Sequence, residues 1–115
     1  MSDEVRKKVD DEWKTQVESE KKAAKEKQEA YHEPTFKIFI SSLSVQAMIA
    51  LGKLENPVSG KIEINLEQAR FLVDTIGILK EKTRGNLTEE EGKFLEDSLF
   101  SLRMMYVEEK NKQSA

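Results

Sequence analysis

The stretch FKIFISSLSVQAMIAL, residues 36–51, decides the fold of this chain. Lys37 is its only charged residue, and apolar side chains fall on nearly every side of a helix drawn through it. A helix of this kind must be covered on all sides. A membrane span needs about 20 consecutive apolar residues, whereas serines interrupt this run and Gly52 ends it. We therefore predict a central core helix and no membrane span.

Two further helices are predicted after the central one. Asn65 is typical of the residue that begins a helix, because its side chain can bond the free amides of the first turn. Thr88 and Glu91 have the spacing of a capping box, with acidic residues at the positive end of the next helix. Gly85, between the two helices, suits a left-handed helix end. The short connection predicts an antiparallel hairpin packed on the central helix, so the fold class is all-α with a three-helix core.

Residues 54–65 connect the central helix to the hairpin. Ile62 and Ile64 alternate with charged residues, as in a short strand, but no partner strand is predicted. We therefore expect a loop pinned to the core. The whole helical domain is predicted to span residues 34–110, followed by a polar tail at residues 111–115.

The first 33 residues are rich in charge and poor in large apolar side chains. Valines and Trp13 recur every four residues up to Val17, which gives one thin apolar stripe along a helix. A stripe this narrow stabilises an isolated helix only weakly. We expect residues 1–33 to form a charged, flexible or partly helical arm. It either only solubilises the chain or docks on a protein partner through Trp13 and Val17, because a buried tryptophan often carries binding energy.

Each predicted core helix also carries apolar residues on the side away from its main face. Three short helices can bury one face each, but not two, and a core of this size is marginal alone. We therefore predict self-association as a twofold dimer. The alternative is that the connection around Ile62 and Ile64 covers this surface in a monomer. The predicted self-association residues are Ile38, Val45, Ile49, Phe71, Ile78, Phe100, Met104 and Val107.

Composition excludes several classes of function. The net charge of −3 gives no basic footprint for nucleic acid. The chain contains no cysteine, which removes disulfides, thiolate nucleophiles and thiolate metal ligands. Mixed charges in the arm argue against a membrane surface as partner. The first residues lack the apolar centre of a signal peptide, so we expect a cytoplasmic protein.

No catalytic set is visible. His32 is the only histidine, and its Glu-x-x-His spacing with Glu29 occurs once, whereas di-iron bundles need two copies. We expect no metal, no cofactor and no enzymatic activity. The weak candidate for an anion site is the junction at Lys82, Arg84 and Asn86, which precedes a helix N-terminus. Three glutamates already occupy that N-terminus.

The order of short motifs resembles a family of small bacterial proteins known only as a domain of unknown function. The resemblance covers residues 36–107 and implies a cytoplasmic, all-helical bacterial protein with no known activity. Trp13-Lys14 also resembles members of that family. The motifs are Ser41-Ser42-Leu43, Gln46-Ala47-Met48, Leu51-Gly52, Asn56-Pro57, Leu66, Ala69-Arg70, Asp74, Lys82-Thr83, Gly85-Asn86-Leu87-Thr88, Glu91 and Leu102-Arg103.

The sequence thus predicts a small, non-catalytic helical interaction or adaptor protein that self-associates and has a possible protein partner at its N-terminal arm. The alternative is a regulatory module that senses a small ligand or anion at the junction of residues 82–86.

Overall fold

The structure is a computed structural model that describes residues 13–18 and 31–114. It contains three complete helices, α1 (Phe36–Ala50), α2 (Leu66–Lys82) and α3 (Glu89–Ser114). Residues 13–18 are also helical. The three helices all contact one another, and the described part of the chain contains no strand. The all-α prediction is confirmed, although α3 continues through residues 111–114, where a polar tail was expected.

The helices begin where the capping residues predict. The Thr35 side chain accepts a hydrogen bond from the Ile38 amide at 3.1 Å, and Asn65 caps α2 in the same way. At α3 the capping box is reciprocal. The Glu91 amide donates to Thr88 Oγ1 at 3.1 Å, and the Thr88 amide donates to Glu91 Oε1 at 2.9 Å. Each bond satisfies an amide that the first turn of a helix leaves without a partner.

The connection between α1 and α2 is pinned at both ends, as predicted. Leu51 and Ile64 form one isolated antiparallel bridge, and the Asn65 amide donates to the Ala50 carbonyl at 2.8 Å. Gly52 reverses the chain with a φ of 75°. A Cβ built on Gly52 would lie 2.7 Å from Cγ1 of Ile64. The loop therefore packs directly on a glycine backbone.

The N-terminal segment, residues 13–18, closes the core. Trp13 is only 2% exposed, and Val17 is fully buried. Both join the core cluster formed by α1, α2 and α3. This corrects two predictions: the core is not confined to three helices, and Trp13 and Val17 are not available as an exposed docking anchor. The stripe that is too narrow to stabilise a lone helix is stabilised here by tertiary packing.

Small polar side chains are buried in the interior of the fold. Trp13 Nε1 donates a hydrogen bond to Ser98 Oγ of α3, and Ser98 in turn donates to the Phe94 carbonyl at 2.7 Å. Ser44 of α1 is fully buried and donates to the Ile40 carbonyl at 2.8 Å. These hydroxyls satisfy their hydrogen-bonding needs within their own helices, so small side chains can line the packed interior.

The first prediction concerns the burial of Trp13. Trp13→Ala should destabilise the chain by about 3–5 kcal/mol, because it leaves a large cavity in the core. Trp13→Phe keeps most of the apolar contact and loses the bond to Ser98, so its cost should be less than half as large. Urea unfolding followed by circular dichroism measures both. A Trp13→Ala variant as stable as the parent would show that the segment does not close the core.

The second prediction isolates the close approach at Gly52. Both Gly52 and Gly60 have positive φ, 75° and 70°, so alanine is strained at either position. Only Gly52 has a neighbour, Ile64, within reach of the added Cβ. Gly52→Ala should therefore lower the free energy of unfolding, measured by urea titration, more than Gly60→Ala does, by a difference of about 1–3 kcal/mol. Equal losses would contradict the pinned geometry of the loop.

Candidate interaction surface

The outer side of α2 carries two large apolar side chains in line. Phe71 is 67% exposed and Ile78 is 59% exposed. They lie seven residues apart, which is about two helical turns. The buried residues of α2, among them Leu72 and Ile76, lie on the opposite side of the helix. We call Phe71 and Ile78 the α2 stripe.

A second stripe follows the outer side of α3. Phe100 is 37% exposed and Val107 is 52% exposed, with the partly buried Met104 between them. The core-facing residues of α3 include Leu95, Leu102 and others on the opposite side. We call Phe100, Met104 and Val107 the α3 stripe.

The remaining predicted self-association residues belong to α1 and do not form such a stripe. Ile38, Val45 and Ile49 are each partly buried, and Val45 packs against the core cluster. The exposed large apolar side chain of α1 is instead Phe39. The structure therefore does not assemble all eight predicted residues into one surface. Of the three complete helices, only α2 and α3 carry aligned exposed pairs.

Charged rows border the two stripes differently. Beside the α2 stripe, exposed carboxylates recur every seven residues at Glu67, Asp74 and Glu81. Arginines one row further out pair with two of them, Arg70 with Asp74 at 3.7 Å and Arg84 with Glu81 at 3.5 Å. The row next to the stripe is thus entirely acidic.

Beside the α3 stripe the corresponding row contains charges of both signs, one acidic residue followed by two basic ones. It consists of the exposed side chains of Glu96, Arg103 and Lys110, again seven residues apart. Glu96 lies 3.9 Å from Lys80 of α2. Arg103 Nη2 lies 3.3 Å from the position of a Cβ built on Gly77, so its guanidinium group reaches across the hairpin. The two ends of this row therefore carry opposite charges.

A shallow cleft marks the junction of the N-terminal segment with α1 and α3. Lys37 forms an ion pair with Glu90, and its Nζ lies 5.8 Å from the centre of the Phe94 ring. Trp13 and Lys93 are among the other lining residues. Lys37 and Glu90 neutralise each other's charge. We therefore assign no ligand to this cleft and attribute it to the packing of the N-terminal segment on α1 and α3.

The predicted anion junction is also engaged within the chain. Arg84 pairs with Glu81, and the Asn86 amide donates to the Thr83 carbonyl at 2.9 Å. Lys82 is exposed at the end of α2. Across residues 13–18 and 31–114, no group of three histidine, aspartate or glutamate side chains is placed to hold a metal ion. None of the described helices has the length and hydropathy of a membrane span.

Comparison with known families matches residues 33–108 to a model described as a domain of unknown function (DUF1844). The match covers the connection and all but the last turns of the three-helix part, which agrees with the resemblance expected from the motifs. Comparisons with curated proteins and with solved structures give no match.

The third prediction concerns the ion pair at the cleft. The pKa of Glu90 lies below its usual value of 4.5, first because Lys37 donates a hydrogen bond to the carboxylate and then because of the Lys37 charge. A lowered folded-state pKa stabilises the fold above pH 4.5, and this contribution is lost as the pH falls through the lowered value. Glu90→Gln should therefore lower the urea midpoint slightly at neutral pH and have no effect in strong acid.

The matched control is Glu89→Gln in the same first turn, which removes an equal charge from the helix N-terminus. Glu90→Gln should have the larger effect at neutral pH. Identical pH profiles for the two variants would contradict a specific role for Lys37.

Proposed function

This chain belongs to the family described as a domain of unknown function (DUF1844), and we propose that it is a small, non-catalytic helical interaction protein that self-associates as a twofold dimer. One observation carries the proposal. The α2 stripe and the α3 stripe stay exposed on a bundle whose core the N-terminal segment has already closed.

Exposed stripes of this kind do not contribute the free energy that their burial would supply. Complete burial of a side chain such as phenylalanine or isoleucine is worth about 1.5–3 kcal/mol, so an exposed aligned pair leaves stabilisation unused. Contiguous exposed apolar surface commonly marks a site of protein association. Spacing at seven residues is also the pattern by which helices pair along their length. These considerations favour a helical partner over a small ligand.

The core itself does not need a second copy. Every buried side-chain nitrogen or oxygen in the described residues has a hydrogen-bond partner. Trp13 and Val17 are buried in the same cluster as the core residues of α1, α2 and α3, whereas Ile62 and Ile64 of the connecting loop remain half exposed. The reason for association is therefore unused apolar surface on the hairpin. It is not an incomplete core.

The proposal assigns surface residues to binding and none to a reaction.

The fourth prediction tests self-association. The full chain should sediment as a concentration-dependent dimer in the micromolar range. The double variant Ile78→Asp/Val107→Asp places a charge in each stripe and should sediment as a monomer, because charges are costly to bury without a partner. Both residues are exposed, so circular dichroism should show unchanged helix content.

Val58→Asp is the matched control, since Val58 is an apolar residue that is 94% exposed in the connecting loop. This variant should dimerise like the parent. A parent chain with the mass of one subunit at every concentration would contradict the proposed function.

A further inference from the structure

We infer that the dimer forms through the α3 stripe, which pairs antiparallel with the same stripe of a second copy about a twofold axis between Arg103 and Met104. This inference rests on the proposed self-association and specifies its surface. It is carried by the order of charges beside the stripe, which suits a second copy of this chain.

The position of the axis follows from the spacing of the stripe. A twofold axis perpendicular to two antiparallel helices reverses the direction along the helix and keeps each flank opposite the same flank of the partner. With the axis midway between Phe100 and Val107, Phe100 of each copy faces Val107 of the other. Met104 lies beside the axis and meets Met104 of the second copy. All three apolar residues therefore gain apolar neighbours.

The charged row is complementary to itself under this operation. Glu96 and Lys110 lie at opposite ends of the row, at nearly equal distances from the axis. Glu96 of each copy is therefore placed beside Lys110 of the other, which gives two attractive pairs. Arg103 lies near the axis, but its guanidinium group reaches over Gly77 of its own chain. It therefore does not face Arg103 of the second copy.

The α2 stripe does not meet this condition. An antiparallel pairing with Phe71 on Ile78 would set Glu67 of one copy between Glu81 and Lys82 of the other, and Asp74 beside Asp74. Arg70 and Arg84 partly offset these charges from one row further out. The row that borders the stripe still repels itself, and like charges across an interface oppose association.

The length of α3 allows the contact. Its 26 residues span about 39 Å, and the paired region from Glu96 to Lys110 covers roughly 21 Å of it. A single helix pair buries less than the standard interface, and specific interfaces below about 1,200 Å² are weak or transient. The dimer should therefore dissociate on dilution, which makes its affinity sensitive to the two charge pairs.

A charge exchange tests the inference. In low salt, Glu96→Lys should raise the dimer dissociation constant about tenfold, since two attractive pairs become repulsive, and Lys110→Glu alone should do the same. The double variant Glu96→Lys/Lys110→Glu restores both pairs and should return the constant to within about threefold of the parent. Sedimentation equilibrium measures the dimer dissociation constant of the parent and the three variants. High salt should reduce the differences among these constants.

Recovery of dimer affinity in the double variant tests for contact with the second copy. Residues 96 and 110 lie about 21 Å apart along one helix, so they cannot compensate each other within a chain. Glu96→Lys also places two lysines together, at positions 96 and 80 of one subunit, and Lys110→Glu does not relieve that contact. Recovery of affinity in the double variant therefore requires the antiparallel pairing.

A second pair of variants distinguishes the two stripes. Phe100→Asp should abolish dimerisation, whereas Phe71→Asp should leave it unchanged. Failure of the charge exchange to restore affinity, or loss of the dimer in Phe71→Asp alone, would overturn the assignment to α3 and leave the proposed self-association intact. A monomeric parent chain would overturn both. Equal urea midpoints among the variants confirm that their folding is unaffected.

Discussion

The indole of Trp13 lies at the junction of the N-terminal segment, α1 and α3, and the rest of the structure depends on this contact. Its Nε1–H donates to Ser98, a residue 85 positions along the chain, and its ring joins the apolar core with Val17. Trp13 and Val17 are buried in the same cluster as the core residues of α1, α2 and α3, so one chain can close its own core.

This closure changes the meaning of the remaining apolar surface. If the bundle were open, a second copy would be required to complete the fold, and association would be inseparable from folding. In a closed bundle the two stripes are not needed to complete the core. The self-association that we propose is then a property of the surface, and we expect it to be weaker, reversible and dependent on the charges that border each stripe.

Local features of the fold could be predicted from the sequence because their causes are local. Thr35, Asn65 and the Thr88–Glu91 box each bond an amide within three residues, so the spacing alone locates the helix starts. Gly85 likewise has the positive φ that its position between two helices requires. The hairpin then follows from its short loop.

The role of Trp13 could not be predicted in the same way. Its stripe of every fourth residue is equally consistent with a free arm, because the pattern does not say which surface it meets. The contact that fixes it is with Ser98 of α3, a fully buried residue 85 positions along the chain, and no spacing within the N-terminal segment identifies so distant a partner.

The two stripes could be predicted from the sequence in part. Spacing identified Phe71, Ile78, Phe100 and Val107, since each pair lies on the side of its helix opposite the core. The same reasoning failed for Val45 of α1, because exposure depends on which neighbours cover a helix, and those neighbours are distant in sequence. The difference between the acidic row of α2 and the row of mixed charge on α3 is readable from the sequence once the outer sides are known.

The central claim is that the N-terminal segment is part of the folded core, and the chain offers a direct probe of it because Trp13 is its only tryptophan. Tryptophan emission and far-ultraviolet circular dichroism should be followed in one urea titration. The structure predicts blue-shifted native emission that moves to the red at the same urea midpoint as the loss of helix. Emission typical of a water-exposed indole in the absence of urea, or a red shift that precedes the helical transition, would contradict it.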